Sequence, residues 1–70
     1  MLIARKHDFR LYKEDDFYKV VTPNGESMVN ASGTKKEVTA ELKRWKDEVD
    51  YNNRFMLEVE NYFIKILEKI

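Results

Sequence analysis

The sequence predicts an α+β fold, a three-stranded antiparallel meander followed by two helices (βββαα), in a single domain over residues 1–70. Three observations predict it. Residues 9–31 carry short runs of β-branched and aromatic side chains separated by turn chemistry. Thr34-Lys35-Lys36-Glu37 is a capping box, in which a threonine hydroxyl and a glutamate carboxylate satisfy amides at a helix start. Beyond it, apolar residues recur at spacings of three and four. The sheet is expected over about 8–31 and the helices over about 35–49 and about 53–69.

Phe9-Arg10-Leu11-Tyr12 and Tyr18-Lys19-Val20-Val21-Thr22 read as strands, with Lys13-Glu14-Asp15-Asp16 a polar turn between them. Pro23-Asn24-Gly25-Glu26 is the strongest local signal. Asn-Gly supplies the positive φ angles of a tight hairpin, and proline stiffens its entry. Ser27 to Ala31 forms a third, weaker strand. Two-residue turns at Glu14-Asp15 and Asn24-Gly25 set Leu11 opposite Tyr18, Phe9 opposite Val20, Val20 opposite Val29 and Tyr18 opposite Ala31. Placed independently, both turns put Phe9, Leu11, Tyr18, Val20, Val29 and Ala31 on one face. A one-residue slip in either would scatter that set.

Gly33 permits a sharp entry into the first helix, whose stripe is Val38, Leu42, Trp45 and Val49. Helix propensity falls at Asp50-Tyr51-Asn52-Asn53, after which Phe55, Val59, Tyr62, Phe63, Ile66 and Ile70 define a second amphipathic helix. No proline or glycine separates the two. The alternative is one helix from Lys35 to Lys69, roughly 50 Å long. Three short strands span only ~20 Å and could not cover it, so a break is expected.

Seventy residues bury only ~60% of their unfolded surface, which leaves a thin stability margin. With no cysteine and a lone histidine, His7, neither disulfides nor a zinc site can add to it. The core must come from aliphatic and aromatic packing, or from a second copy of the chain. Lack of cysteine fits a reducing cytoplasm. No apolar run approaches the ~20 residues of a membrane span, and the amino end is too short in apolar residues for a secretory signal. Asn30-Ala31-Ser32 matches a glycosylation acceptor, a triplet that arises often by chance. Thirteen basic residues balance thirteen acidic ones, which removes any global attraction to nucleic acid.

Catalysis is not expected, and neither a cofactor nor a metal is implied. Gly25 and Gly33 are the only glycines, so no phosphate-cradling loop exists. Ser27 and Ser32 have no candidate base except His7, itself beside Asp8 near the terminus. Glu14-Asp15-Asp16 lacks the ligand spacing and glycine of a calcium loop. Lys35, Lys36, Lys43, Arg44 and Lys46 alternate with acids on the first helix and read as a solvated face.

Two surfaces could hold a partner. In the register above, the outward sheet face presents Arg10, Tyr12, Phe17, Lys19, Val21, Met28 and Asn30. Tyr12 would sit opposite Phe17, Val21 opposite Met28, and Arg10 opposite Lys19, a like-charge pair that invites an anion. Arginine and tyrosine are common anchors at protein interfaces, and aromatic groups beside cations also stack nucleotide bases. Arg10, Tyr12, Phe17, Lys19 and Met28 are the expected contacts. The second surface is the second helix, where Met56 and Leu67 widen the stripe and Leu57 and Ile64 lie nearly opposite it. Such a helix is either central to its fold, with Leu57 and Ile64 packed on the first helix and Phe63 on the sheet, or buried by another molecule, a homodimer or partner.

Ala31-Ser32-Gly33-Thr34-Lys35-Lys36-Glu37, together with the Asn-Gly hairpin, resembles the three-stranded DNA-binding domains of tyrosine integrases and plant AP2 factors over residues 9 to 46 at most. That resemblance implies a sheet laid in the major groove. The neutral charge and the long apolar second helix depart from it, so nucleic-acid binding stands as the alternative. The leading expectation is a small protein-binding module that occupies a surface of a larger protein. Small, neutral, cysteine-free chains of this kind are frequent among regulators and inhibitors encoded by bacteriophages and mobile elements.

Overall fold

The computed structural model describes residues 1–48 and 54–70, and only the backbone of Val29, Asn30 and Glu48. Four antiparallel strands lie side by side in sequence order: β1 (Leu2–Lys6), β2 (Phe9–Glu14), β3 (Phe17–Val21) and β4 (Ser27–Gly33). Helices α1 (Lys35–Glu48) and α2 (Arg54–Lys69) follow. The α+β class and the meander-then-helices order are those expected. β1 is an addition at the amino end, before the expected start of the sheet.

β1 joins β2 through His7-Asp8, both left-handed, with φ of 50° and 68°. Positive φ at both central residues is the tight-turn geometry that matches strand twist, and aspartate tolerates it better than most residues. Lys6 pairs with Phe9 and Arg5 with Arg10, and the register shifts between Leu2 and Ala4. The next turn is Asp15-Asp16, one residue later than expected, with φ of 52° at Asp15. Leu11 therefore faces Val20 and Tyr12 faces Lys19. The pairing has moved by two residues, and an even shift leaves every side chain on its expected face.

The third turn departs differently. Gly25 N–H donates to the Thr22 carbonyl (2.9 Å) and Thr22 N–H to the Glu26 carbonyl (2.8 Å), so the loop holds three residues, Pro23-Asn24-Gly25. Gly25 takes the left-handed position with φ of 86°. Val21 pairs with Ser27, yet Lys19 pairs with Ser32 and Tyr18 with Gly33. The longer loop reverses the parity at the start of β4, and an irregularity in between restores it by Ser32. The expected placements of the Val29 and Asn30 side chains lie outside the described residues.

The capping box forms in both directions. Glu37 N–H donates to Thr34 Oγ1 and Thr34 N–H to Glu37 Oε1, each at 3.2 Å. The helices run antiparallel, since Lys35 Nζ donates to the Ile70 carbonyl (2.6 Å) and Lys43 Nζ lies 3.5 Å from Glu68 Oε1. A single 50 Å rod is thereby excluded. The expected stripe residue Val49 and the expected break at Asp50-Tyr51-Asn52-Asn53 lie outside the described residues. Both helices pack on one side of the sheet. Ala4, Phe9, Leu11, Tyr18, Val20 and Ala31 form one hydrophobic cluster with Val38 and Leu42 of α1 and Val59, Phe63, Ile64 and Leu67 of α2.

Candidate functional site

The other side of the sheet has no helix over it. Two cross-strand rows cross it: Leu2, Tyr12, Lys19 and Ser32, then Arg5, Arg10, Val21 and Ser27. Phe17, opposite Glu14, stands at the end of the face and is 48% exposed. Four of the five residues expected to contact a partner, Arg10, Tyr12, Phe17 and Lys19, are thus brought together on an open surface. Their pairing differs from the expectation. Lys19, not Phe17, faces Tyr12, and its ammonium lies 5.7 Å from the ring centroid. Val21, not Lys19, faces Arg10, and Val21 is buried although it belongs to no part of the helix-side cluster.

A like-charge pair exists after all, one strand over. Arg5 and Arg10 face each other, and Arg5 Nη2 bonds Asp8 Oδ1 at 2.5 Å. That hydrogen bond and the arginine charge hold the Asp8 carboxyl below its usual range. No carboxylate lies within ion-pair distance of Arg10 or Lys19 among the described residues. Arg5, Arg10 and Lys19 leave the face net cationic, with Glu14 at its edge beside Phe17 and aromatic groups interleaved, inside a neutral molecule.

Met28, the fifth expected contact, is 9% exposed and lies in the hydrophobic cluster. The three-residue loop, one residue longer than expected, pairs Val21 with Ser27 and so puts Met28 on the helix side, which removes it from the candidate surface. The expected helix surface is corrected more deeply. Ile64 and Leu67 are buried in the fold, Met56 packs against the core, and Leu57 is half-buried. Exposed instead are Phe55 and Tyr62 of α2 and Ile70 just beyond its end, three residues expected on its buried stripe. The reason is the unforeseen β1, against which α2 packs together with α1. A helix wedged between a strand and a second helix buries a wider arc than one lying on a sheet alone.

Two features escaped the reading of the sequence. At the β1–β2 turn the His7 ring lies against Phe55, centroids 4.4 Å apart, and Nε2 is 2.6 Å from Glu58 Oε2. Lys6 Nζ lies 5.7 Å from the Tyr62 ring centroid. Histidine 51 residues from its partner carries no sequence signal. The second feature is Glu60, which is fully buried, with no hydrogen-bond partner for either carboxylate oxygen among the described residues. Burial pushes its pKa up to about 7, against a smaller opposing pull from Lys46. Glutamate on a helix ordinarily reads as a solvated residue, so its sequence position gave no warning.

Among the described residues no group of three or more acidic, histidine or cysteine side chains could hold a metal ion. None of their helices is long and apolar enough to cross a membrane. Comparison with known protein families, with curated proteins and with solved structures finds no match for this chain.

Proposed function

We propose that the protein is a non-catalytic binding module whose open sheet face docks on an acidic surface of a larger protein. It would act as a small cytoplasmic regulator or inhibitor, of the type carried by bacteriophages and mobile elements. One observation carries this reading: Arg10 and Lys19 have no ion-pair partner among the described residues, yet they share a flat face with Tyr12 and exposed Phe17. Arginine and tyrosine together on a rigid sheet favour a protein partner, because both anchor interfaces at modest entropic cost. Charge complementarity makes that partner's surface acidic.

The test is a backbone-amide NMR titration of the whole chain with a glutamate-rich peptide at low ionic strength, repeated with oligolysine and with duplex DNA. Shifts centred on Arg10, Tyr12, Phe17 and Lys19 with the acidic peptide alone support the proposal. Their loss in the Arg10→Glu/Lys19→Glu variant, with an unchanged thermal midpoint, would localise the contact. No shift on this face with the peptide sinks it. Salt-sensitive DNA binding that neutralises several phosphates would replace it with the nucleic-acid reading.

A further inference from the structure

The sheet face leaves Glu60 unexplained. Its side chain belongs to the buried arc of α2, beside Val59, Phe63, Ile64 and Leu67. Neither oxygen meets a donor among the described residues, and the residue exposes no surface. A buried carboxylate without partners is among the most costly groups a fold can hold, whereas the neutral acid is tolerated far better.

Among the described residues the surrounding charges are few. From α1, Lys46 is the cation that acts on Glu60. Lys43, Lys46 and Asp47 of α1 and Asn61, Lys65 and Glu68 of α2 line a groove between the helices, immediately round the helix from Glu60. From the sheet, β1 and its turn bring Lys6 to Tyr62 and His7 to Glu58. Tyr62 and Glu58 each lie two residues from Glu60, about 200° round the helix, so those groups engage the opposite side of α2. Among the described residues, a proton lost from Glu60 therefore has one route to compensation. The carboxylate must move toward Lys46 and the wet groove.

We infer that Glu60 is a proton-operated latch between the two helices. With Glu60 neutral, α2 is seated on α1 and the sheet. With Glu60 ionised, α2 loosens from α1 so that the carboxylate reaches Lys46 and water. Because the folded-state pKa is raised from 4.5 to about 7, the closed state holds a proton that the open state releases. Closure is favoured below that window and weakens as pH rises through it, by two to three decades in the opening constant.

The test uses the whole chain, with a carboxyl 13C titration and amide-exchange protection of α2 measured against β2 and β3 from pH 4 to 9. The Glu60 carboxyl should titrate near neutrality, and α2 should lose protection relative to the strands in the same window. Glu60→Gln should abolish that pH dependence. Lys46→Met, at an exposed position, should keep the fold and move the titration upward. If Glu60→Gln does not fold, the native titration and the Lys46→Met shift decide. The latch is overturned by a Glu60 titration below pH 5, by α2 and strand protection that run parallel at every pH, or by no shift in Lys46→Met.

Discussion

Lys19 stands directly opposite Tyr12 across β2 and β3, its ammonium 5.7 Å from the centre of the tyrosine ring. The contact exists because the turn lies at Asp15-Asp16, which slides β3 along β2 without flipping either strand. A cation over an exposed aromatic face contributes about 0.5–1 kcal/mol. In a double-mutant cycle of Tyr12→Leu with Lys19→Met, the coupling should be about 0.5 kcal/mol by urea denaturation. Strictly additive single substitutions would show that the two side chains only happen to be neighbours.

That same slide shows what the residues disclosed and what they withheld. Alternation in Phe9-Arg10-Leu11-Tyr12 and Tyr18-Lys19-Val20 determines faces, and Phe9, Leu11, Tyr18 and Val20 are buried as expected. Alternation does not determine which residues face each other, since any even shift satisfies it. At the start of β4 the third loop residue flips the faces, so Met28 lies inside. β1 was illegible for another reason. Leu2-Ile3-Ala4-Arg5-Lys6 alternates poorly, and its turn is His7-Asp8 in place of the Asn-Gly or Asp-Gly that announces a hairpin. Missing β1 in turn misplaced the buried arc of α2, because the second wall of its pocket was unknown.

Asp15 occupies the left-handed region with φ of 52° at an exposed turn position. Residues with a Cβ are penalised there, aspartate less than most, whereas glycine is not. Asp15→Gly should therefore stabilise the domain, by about 0.5 kcal/mol after the added entropy of the unfolded chain is offset. The thermal midpoint should rise by a few degrees in a domain of this size. A lower midpoint would mean that the Asp15 side chain supports the turn in a way its geometry does not suggest.

At the other end of the sheet, Thr34 and Glu37 close the start of α1 reciprocally at 3.2 Å. Thr34→Ala removes one half of the box and leaves the Glu37 carboxylate on the residue 34 amide. The expected cost is about 1 kcal/mol. Gly33, with φ of 133° and room for a Cβ only 3.1 Å from Glu37 Oε1, should tolerate alanine less well than Thr34 does. Comparing the urea midpoints of the two variants orders these effects. If Thr34→Ala proves the worse, the cap outweighs backbone strain at this junction.

Glu58 and Glu60 sit two residues apart on α2 and answer to pH with opposite signs. The hydrogen bond from His7 holds the Glu58 carboxyl below its usual 4.5, with the nearby positive charges adding to the effect. A depressed folded-state value stabilises the fold above pH 4.5, and that contribution is lost as pH falls through the lowered value. Below pH 4.5, Glu58→Gln should therefore lose urea resistance less steeply than the native chain. Burial has moved Glu60 the other way, so its contribution is lost as pH rises toward neutrality instead. An acid limb identical to that of the native chain would show that the His7 contact does not survive in solution.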